Sequence, residues 1–253
     1  MSVVVECAEN LQRLPGVRHG FTTRAGGVSL GPLASLNLAR RPGEQDAALV
    51  ENWGRALAGV GFTPEQLALV EQVHGDAVLE VRGASGPLGV AGAADAILTA
   101  ERGLVVAVRT ADCVPVLLAV DGCVAAVHAG WRGVAANIVA RAVEAVCARA
   151  GVAPGRIIAA VGPHIGAGAY EVSDEVLQAV ARAGGGVARV RKPGLGQRDH
   201  VDLGAAVAWQ LRAAGVVNIE ALGLCTASDR RLFSHRRDGG DAGRIAAMIG
   251  LSL

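Results

Sequence analysis

The sequence predicts an α/β protein with a mixed β-sheet, and three observations support this. The chain has 253 residues, of which 51% are hydrophobic, enough to bury a substantial core and too many for a disordered chain. Apolar segments of strand length alternate imperfectly with segments of helical periodicity. Two apolar segments are joined by Asp121-Gly122, a dipeptide typical of a hairpin, so at least one strand pair is antiparallel. No linker or repeat is visible, and we predict one domain over residues 1–253.

The predicted strands are short apolar segments that end at glycine, proline or polar residues. Those in the middle of the chain are apolar almost without interruption, which favours a sheet covered on both faces. The predicted strands are Val17–Thr23, Leu67–Val73, Leu104–Arg109, Val114–Val120, Cys123–His128, Ile157–Val161, Val216–Leu224 and Ile245–Leu251, with a short extended segment at His200–Leu203.

Helices are predicted where apolar residues recur every three or four positions. In Ala47–Val60 one face carries Leu49, Val50, Trp53, Leu57 and Val60. The other predicted helices are Val134–Ala150, stopped by Gly151 and Pro154, Asp174–Ala183, capped by Ser173, and Gly204–Ala214. Thr63–Gln66 fits a capping box, and the Gly- and Arg-rich residues 184–198 predict an exposed loop.

Charge and composition exclude several classes of protein. The net charge is +1 and only seven residues are aromatic, so a nucleic-acid surface is not expected. No apolar run is long enough to span a bilayer and residues 1–16 lack the pattern of a secretory signal, so we expect a cytoplasmic protein without a membrane partner. The five cysteines do not suggest a disulfide framework, and three of them, Cys123, Cys147 and Cys225, lie in apolar contexts typical of buried thiols.

Three potential metal ligands each lie at a predicted strand end next to a glycine or in a short connection between strands. They are His74, before Gly75, Cys113, between two apolar strands, and His128, two residues before Gly130. Strand ends of one sheet can converge at a common edge, where loops build sites. Two imidazoles and a thiolate suit zinc or copper, and three protein ligands leave a fourth position open, as in catalytic zinc sites.

The spacing of these residues leaves an alternative open, because gaps of 39 and 15 residues match no compact zinc finger. Each histidine could be a satisfied polar residue at a strand end, and Cys113 could be a buried thiol. The residues after His128 favour a functional site. Gly130-Trp131-Arg132-Gly133 leads into a predicted helix, and its first amides together with Arg132 could bind an anion.

The sequence resembles the multicopper-polyphenol-oxidoreductase-like family, also called the laccase-domain or YfiH-like family. The resemblance runs from Gly20 to Ile249, and the motifs that carry it follow one another in order. These motifs are Gly20–Arg24 with Gly26–Ser29, Ser35–Leu38, Gln72–Gly75, Ala94–Ala96, Arg109–Pro115, Val127–Gly133, Gly162-Pro163, Ile165-Gly166, Tyr170–Val172 and Phe233–Asp238.

The resemblance implies a four-layer α/β/β/α sandwich and a metal, zinc or copper, bound by His74, Cys113 and His128. It implies phosphorolysis of purine nucleosides such as adenosine, inosine, guanosine or methylthioadenosine, with adenosine deamination as a side activity. The expected partners are purine nucleosides and phosphate, and the chain is expected to act as a monomer or homodimer. Many members have cysteine where this chain has His164, which leaves the role of that position open.

Other polar residues of the matched motifs are candidates for catalysis or binding. Asp112 could orient a ligand histidine or cap a turn, and His235 could act as an acid or base, bind phosphate, or simply end a strand. The residues assigned to substrate or phosphate binding are Arg24, Asn37, Gln72, Arg132, His164, His235 and Arg236.

Three other functions use the same residues. A copper polyphenol oxidase would use two histidines and a cysteine, but the chain has only Met1 and Met248 as axial candidates and no His-x-His pair. A cysteine hydrolase would use Cys113 as nucleophile, with His74 or His128 as its base. A binding role without catalysis is also possible. A cytidine-deaminase site is excluded because the chain has no C-x-x-C motif.

Overall fold

The computed structural model describes residues 3–192 and 198–253. The strands are β1 (Val5–Glu6), β2 (Val17–Thr22), β3 (Leu67–Leu69), β4 (Val78–Glu80), β5 (Ala96–Thr99), β6 (Val105–Thr110), β7 (Val114–Val120), β8 (Cys123–Ala129), β9 (Ile158–Val161), β10 (Arg191–Lys192), β11 (His200–Val201), β12 (Asn218–Ala221) and β13 (Ile245–Leu251). The α-helices are α1 (Glu9–Gln12), α2 (Asp46–Ala58), α3 (Trp131–Ala135), α4 (Ile138–Ala150), α5 (Asp174–Ala183), α6 (Val187–Val190), α7 (Leu203–Ala213) and α8 (His235–Asp238).

The strands form two large mixed sheets instead of one. The five-stranded sheet has the order β1-β2-β13-β6-β3, and the six-stranded sheet has the order β12-β9-β7-β8-β5-β4. Each contains parallel and antiparallel neighbours: β3 runs parallel to β6, and β12 runs parallel to β9. A short antiparallel pair, β10-β11, lies apart from both.

The two sheets pack face to face and share one apolar core. Val108 and Ile249 of the five-stranded sheet belong to the same buried cluster as Leu117 of the six-stranded sheet. Phe21 crosses the interface to Gly162, where an added Cβ would lie 2.2 Å from the Phe21 ring. Glycine at position 162 therefore allows the close approach of the sheets.

Helices cover the two outer faces. Trp53 and Leu57 of α2 pack with Val105 and Met248 of the five-stranded sheet. On the other side, α4, α5 and α7 cover the six-stranded sheet, whose residues Val116, Leu118 and Val127 pack with Val143, Val180 and Val207. The predicted four-layer α/β/β/α sandwich with mixed sheets is confirmed, and the strands are apolar on both faces because both faces are covered.

Three predicted elements differ clearly in extent, two of them for a local reason. β3 ends at Leu69 rather than Val73, because beyond it the Gln72 side chain pairs with the backbone of Arg109 in place of a strand. The helix predicted from Val134 begins at Trp131 and is divided at Asn137, whose φ of 63° is incompatible with a helix. The strand predicted over Val216–Leu224 spans only Asn218–Ala221.

Smaller differences concern caps and short elements. Val50 is 39% exposed, so it does not share the buried face of α2. The Thr63–Gln66 capping box forms, but on a 3-10 turn, and the Ser173 side chain makes no capping bond to α5. The segment 184–198 includes α6 and β10, and its residues 193–197 lie outside the described residues. Within the described residues, no helix combines the length and apolar character needed to cross a membrane.

Candidate metal centre and active-site cleft

The three predicted metal ligands meet, and they come from different sheets. His74 lies in a turn after β3 of the five-stranded sheet, whereas Cys113 precedes β7 and His128 lies in β8 of the six-stranded sheet. One donor atom from each lies within 4.8 Å of the others, and Cys113 Sγ is 4.0 Å from His74 Nε2. The prediction of a common edge of one sheet was therefore wrong, since the ligands meet where the two sheets adjoin.

A buried carboxylate outside the predicted site residues, that of Asp95, holds this centre in place. Asp95 Oδ1 lies 2.7 Å from His128 Nδ1 and accepts the N–H of His74 at 3.0 Å. Asp95 Oδ2 accepts the N–H of Gly75 at 2.6 Å and of Val73 at 3.2 Å. With Nδ1 occupied, the other ring nitrogen of His128 is left for a metal.

These bonds also keep the carboxylate ionised. Burial raises the pKa of Asp95, but the hydrogen bonds from His128 and from the amide of Gly75 outweigh it, so that the pKa lies below its ordinary value. The matched motif Ala94–Ala96 was the available signal. No role was predicted for Asp95, because no strand was predicted after this motif.

The charges of the thiol and the imidazole are coupled. Burial raises the pKa of Cys113, but the charge of His128 and hydrogen bonds to both histidines outweigh it and lower the pKa to about 6. Burial lowers the pKa of His128, but Cys113 and the hydrogen bond to Asp95 raise it to about 9. The pair therefore favours the thiolate, the form of cysteine that binds a metal.

The donor set fits a transition metal. With bonds of about 2.0–2.3 Å, the donors of a tetrahedral zinc lie roughly 3.3–3.8 Å apart, and the donors here, within 4.8 Å of one another, need only a small contraction. Beside them, Gly130 supplies space: an added Cβ would lie 3.2 Å from Cys113 Sγ and 3.0 Å from His74 Cδ2. His74 is exposed, so the centre is open to a substrate.

The centre lies in a cleft of about 620 Å3, a volume that suits a small-molecule ligand. Two acidic side chains, Glu71 and Asp112, line the cleft, compared with six arginines. The lining arginines are Arg40, Arg41, Arg109, Arg132, Arg236 and Arg244. A cleft with this excess of positive charge favours an anionic ligand.

Asp112 makes hydrogen bonds away from the histidines. Its Oδ1 accepts the hydroxyl of Thr226 at 2.6 Å, and its Oδ2 accepts the N–H of Arg236 at 2.6 Å. Among the described residues it has no bond to His74 or His128. Asp112 therefore fixes the start of α8, and the carboxylate that orients a ligand histidine is that of Asp95.

Four of the residues predicted to bind substrate or phosphate line the cleft: Gln72, Arg132, His235 and Arg236. The guanidinium of Arg132 lies 4.4 Å from the ring centroid of Trp131. Arg236 lies 5.3 Å from the ring of Tyr170 and donates to the carbonyl of Glu171.

The amides expected to bind an anion after Gly133 are already paired. The N–H of Val134 donates to the carbonyl of Gly130 at 2.8 Å, and the N–H of Ala136 donates to Arg132 at 3.0 Å. They are engaged because the helix begins at Trp131, one turn earlier than predicted.

The other three residues lie outside the cleft lining. Arg24 donates two hydrogen bonds to the carbonyl of Ala34, at 2.8 and 2.6 Å, and covers the ring of Phe233. Asn37 is fully buried, with its amide bonded to neighbouring groups. His164 Nδ1 lies 2.8 Å from the carbonyl of Gly162, and burial lowers its pKa.

The fold and this centre define a class of protein, α/β/β/α sandwiches with a candidate metal site between their two sheets. The chain belongs to the family described as multi-copper polyphenol oxidoreductase laccase, whose model matches residues 18–252. The predicted family is thereby confirmed.

Relatives and solved structures agree with this membership. A purine nucleoside phosphorylase of Deinococcus radiodurans is 41% identical over 237 residues, covering 93% of this chain and 89% of the relative. A purine nucleoside phosphorylase of Streptomyces griseus is 42% identical, covering 91% and 93%. The crystal structure of YlmD from Geobacillus stearothermophilus superposes with a TM-score of 0.89 at 32% identity, covering 100% of this chain and 97% of that one.

Proposed function

We propose that this protein is a zinc-dependent purine nucleoside phosphorylase with adenosine deaminase as a side activity. The observation that carries the proposal is the opening of the His74–Cys113–His128 centre into an arginine-rich cleft. Phosphorolysis needs both features, because an anionic nucleophile must be bound and negative charge must be stabilised on the leaving purine. The names of the curated relatives point to the same reaction.

The proposed substrates are phosphate and a purine nucleoside such as adenosine, inosine, guanosine or methylthioadenosine. A phosphate oxygen forms a bond to C1′ of the ribose while the C1′–N9 bond breaks, and the purine leaves with the electron pair and takes up a proton. Trp131, Tyr170 and Leu203 line the cleft and offer apolar surface to the base. His235, which also lines the cleft, is a candidate for handling that proton.

His74, Cys113 and His128 would hold the zinc, with Asp95 fixing the ring of His128. Bound there, zinc would supply Lewis acidity to stabilise developing negative charge, and in the deaminase side reaction it would activate water. The positive charges of Arg132 and Arg236 add to this stabilisation from the cleft wall.

The decisive experiment is incubation of the purified protein with adenosine, with and without phosphate. We expect adenine and ribose 1-phosphate only when phosphate is present, and slow formation of inosine in either condition. Free base without ribose phosphate, or no conversion of any purine nucleoside, would overturn the proposal. Metal analysis of the same sample should find about one zinc per chain.

The family description favours copper polyphenol oxidase as a second candidate. Within the described residues, one group of histidine, cysteine and acidic side chains is suitably placed for a metal, whereas a multicopper oxidase needs several. Met248, the internal methionine, is fully buried in the cluster against α2 and does not line the cleft that holds the centre. Oxygen uptake with a phenol by the copper-loaded protein would support this candidate.

A metal-free protein that a thiol alkylator inactivates would instead support a cysteine hydrolase.

A further inference from the structure

The two sides of the cleft differ in chemistry, because each is built next to a different sheet. On the side of the five-stranded sheet the lining residues include Arg41, Thr110 and Arg244. On the side of the six-stranded sheet they include the aromatic residues Trp131 and Tyr170. The metal centre lies where these sides meet. Arg132 and Arg236 lie over the rings of Trp131 and Tyr170. Aromatic surface for a base is therefore on the six-stranded side, whereas the five-stranded side offers arginines and a hydroxyl to an anion.

Arg41 and Arg244 are carried by two chain segments that are bonded to each other. The guanidinium of Arg41 donates to the carbonyl of Gly240. The N–H of Arg244 donates to Asn37 Oδ1 at 2.9 Å, and its Nη1 donates to the carbonyls of Ala242 and Gly243 at 2.6 and 3.0 Å. Both arginines are thus fixed to the same wall, although about 200 residues separate them in the sequence.

Thr110 belongs to the same wall. Arg244 comes directly before β13, and its neighbour Ile245 is the register partner of Thr110 in β6. Thr110 is also three residues before Cys113. Thr110 therefore lies beside the Arg244 segment and lines the same cleft as Cys113.

Two polar atoms of this wall are buried without a hydrogen-bond partner among the described residues. They are the hydroxyl oxygen of Thr110 and Nε of Arg41. Thr110 is only 1% exposed, so its hydroxyl is not simply solvated. An unpaired buried polar atom costs free energy, and such atoms at a ligand site are satisfied when the ligand binds.

The charges on this wall are also incompletely balanced. Burial lowers the pKa of Arg244, and the charges of Arg41 and Arg109 lower it further, whereas Cys113 and Asp112 raise it. Both carboxylate oxygens of Asp112 are already bonded, to Thr226 and to the amide of Arg236. Burial lowers the pKa of Arg109, and the charge of Glu71 partly offsets this. A bound anion would relieve the repulsion between these guanidinium groups.

We propose that Arg41, Thr110 and Arg244 form the phosphate subsite of the cleft, with the purine on the side of Trp131 and Tyr170. This inference rests on the proposed phosphorylase function. It assigns the oxyanion contacts to a threonine hydroxyl and two arginines, neither of which is Arg132.

Steady-state kinetics with adenosine and phosphate tests this assignment. We expect Arg41→Gln and Thr110→Val each to raise the KM for phosphate by about 10- to 100-fold, the size expected for a lost hydrogen bond to a charged ligand. The KM for adenosine should stay within about twofold, and Thr110→Ser should restore the KM for phosphate. Arg18→Gln, an exposed arginine of β2, is the charge-matched control. An increase in the phosphate KM for Arg132→Gln, but not for Arg41→Gln or Thr110→Val, would overturn the proposal.

Thermal unfolding with inorganic phosphate alone gives a readout that does not depend on turnover. Phosphate should raise the Tm of the wild-type protein, because a ligand that binds the folded state stabilises it, and Arg41→Gln and Thr110→Val should lose this shift. If phosphate raises the Tm of the wild-type protein but the protein converts no nucleoside, the proposed phosphorylase function is wrong and the anion site is still supported. If it converts nucleosides and both variants keep the wild-type shift, the subsite fails alone. Should Arg41→Gln not fold, Thr110→Val and Thr110→Ser decide the question.

Discussion

The metal centre and the loop around Arg24 are both built from motif residues, but their polar groups are used differently. At Arg24 the guanidinium is already bonded to the carbonyl of Ala34 and covers Phe233. In the metal centre the donor atoms of His74, Cys113 and His128 converge within 4.8 Å of one another, and Cys113 Sγ lies 4.0 Å from His74 Nε2. Bonded polar groups outside the cleft stabilise the fold, whereas polar groups that converge in the cleft indicate a ligand. Polar residues of the matched motifs therefore have two different roles, either to stabilise the fold or to bind a ligand.

The largest effect is expected from Cys113→Ala, which removes one of the three proposed metal ligands. Phosphorolysis and deamination should both fall by at least about 1,000-fold, because the charge on the leaving group would lose its main stabilisation. Bound metal should fall to background in the same preparation, as measured by atomic emission spectrometry.

Cys147→Ala is the matched control, since Cys147 is a half-buried thiol of α4 remote from the centre. It should keep both metal and activity. If Cys113→Ala loses activity while the wild-type protein never contained metal, the thiol is a nucleophile. The three convergent residues would then be a cysteine active site and not a metal centre.

A smaller effect is expected from Asp95→Asn, which keeps the shape of the side chain and removes its charge. Both carboxylate oxygens of Asp95 accept backbone N–H groups of residues 73–75, and one of them also orients His128. An asparagine amide has only one oxygen, so it cannot make all of these bonds. Metal affinity should fall by about 10- to 100-fold, as for other residues that position a metal ligand. Competition with a chelator measures the dissociation constant.

Excess metal should restore the activity of Asp95→Asn, because the ligands themselves are intact. Asp76→Asn provides the control, since Asp76 only pairs with Arg141 at the surface. Activity that stays low at saturating metal would show that Asp95 acts on the reaction itself rather than through His128.

The sequence predicted the convergence of His74, Cys113 and His128 better than the cleft around them. Cys113 and His128 flank a hairpin of continuous apolar strands, so their placement follows from local pattern. Asp95 was missed because β5 is a short strand that follows a run of small residues without periodicity. Arg244 reaches the site only through contacts between segments about 200 residues apart, which no local pattern encodes.

The smallest effect on activity is expected from Arg24→Ala. The variant loses two hydrogen bonds to Ala34 and the contact with Phe233, so the free energy of unfolding should fall by about 1–3 kcal/mol. Chemical denaturation measures this loss. The KM for phosphate of the folded enzyme should stay within about twofold, because the cleft lining does not include Arg24.

Arg24→Lys distinguishes geometry from charge in this loop. Lysine keeps the positive charge but not the planar group that donates twice to one carbonyl oxygen, so it should recover only part of the lost stability. If Arg24 bound phosphate, lysine would instead preserve much of the affinity while alanine raised the phosphate KM about tenfold or more. That pattern, with stability unchanged in both variants, would mean that an arginine bonded to the backbone outside the cleft lining can still bind phosphate. Position relative to the cleft would then no longer separate the two regions.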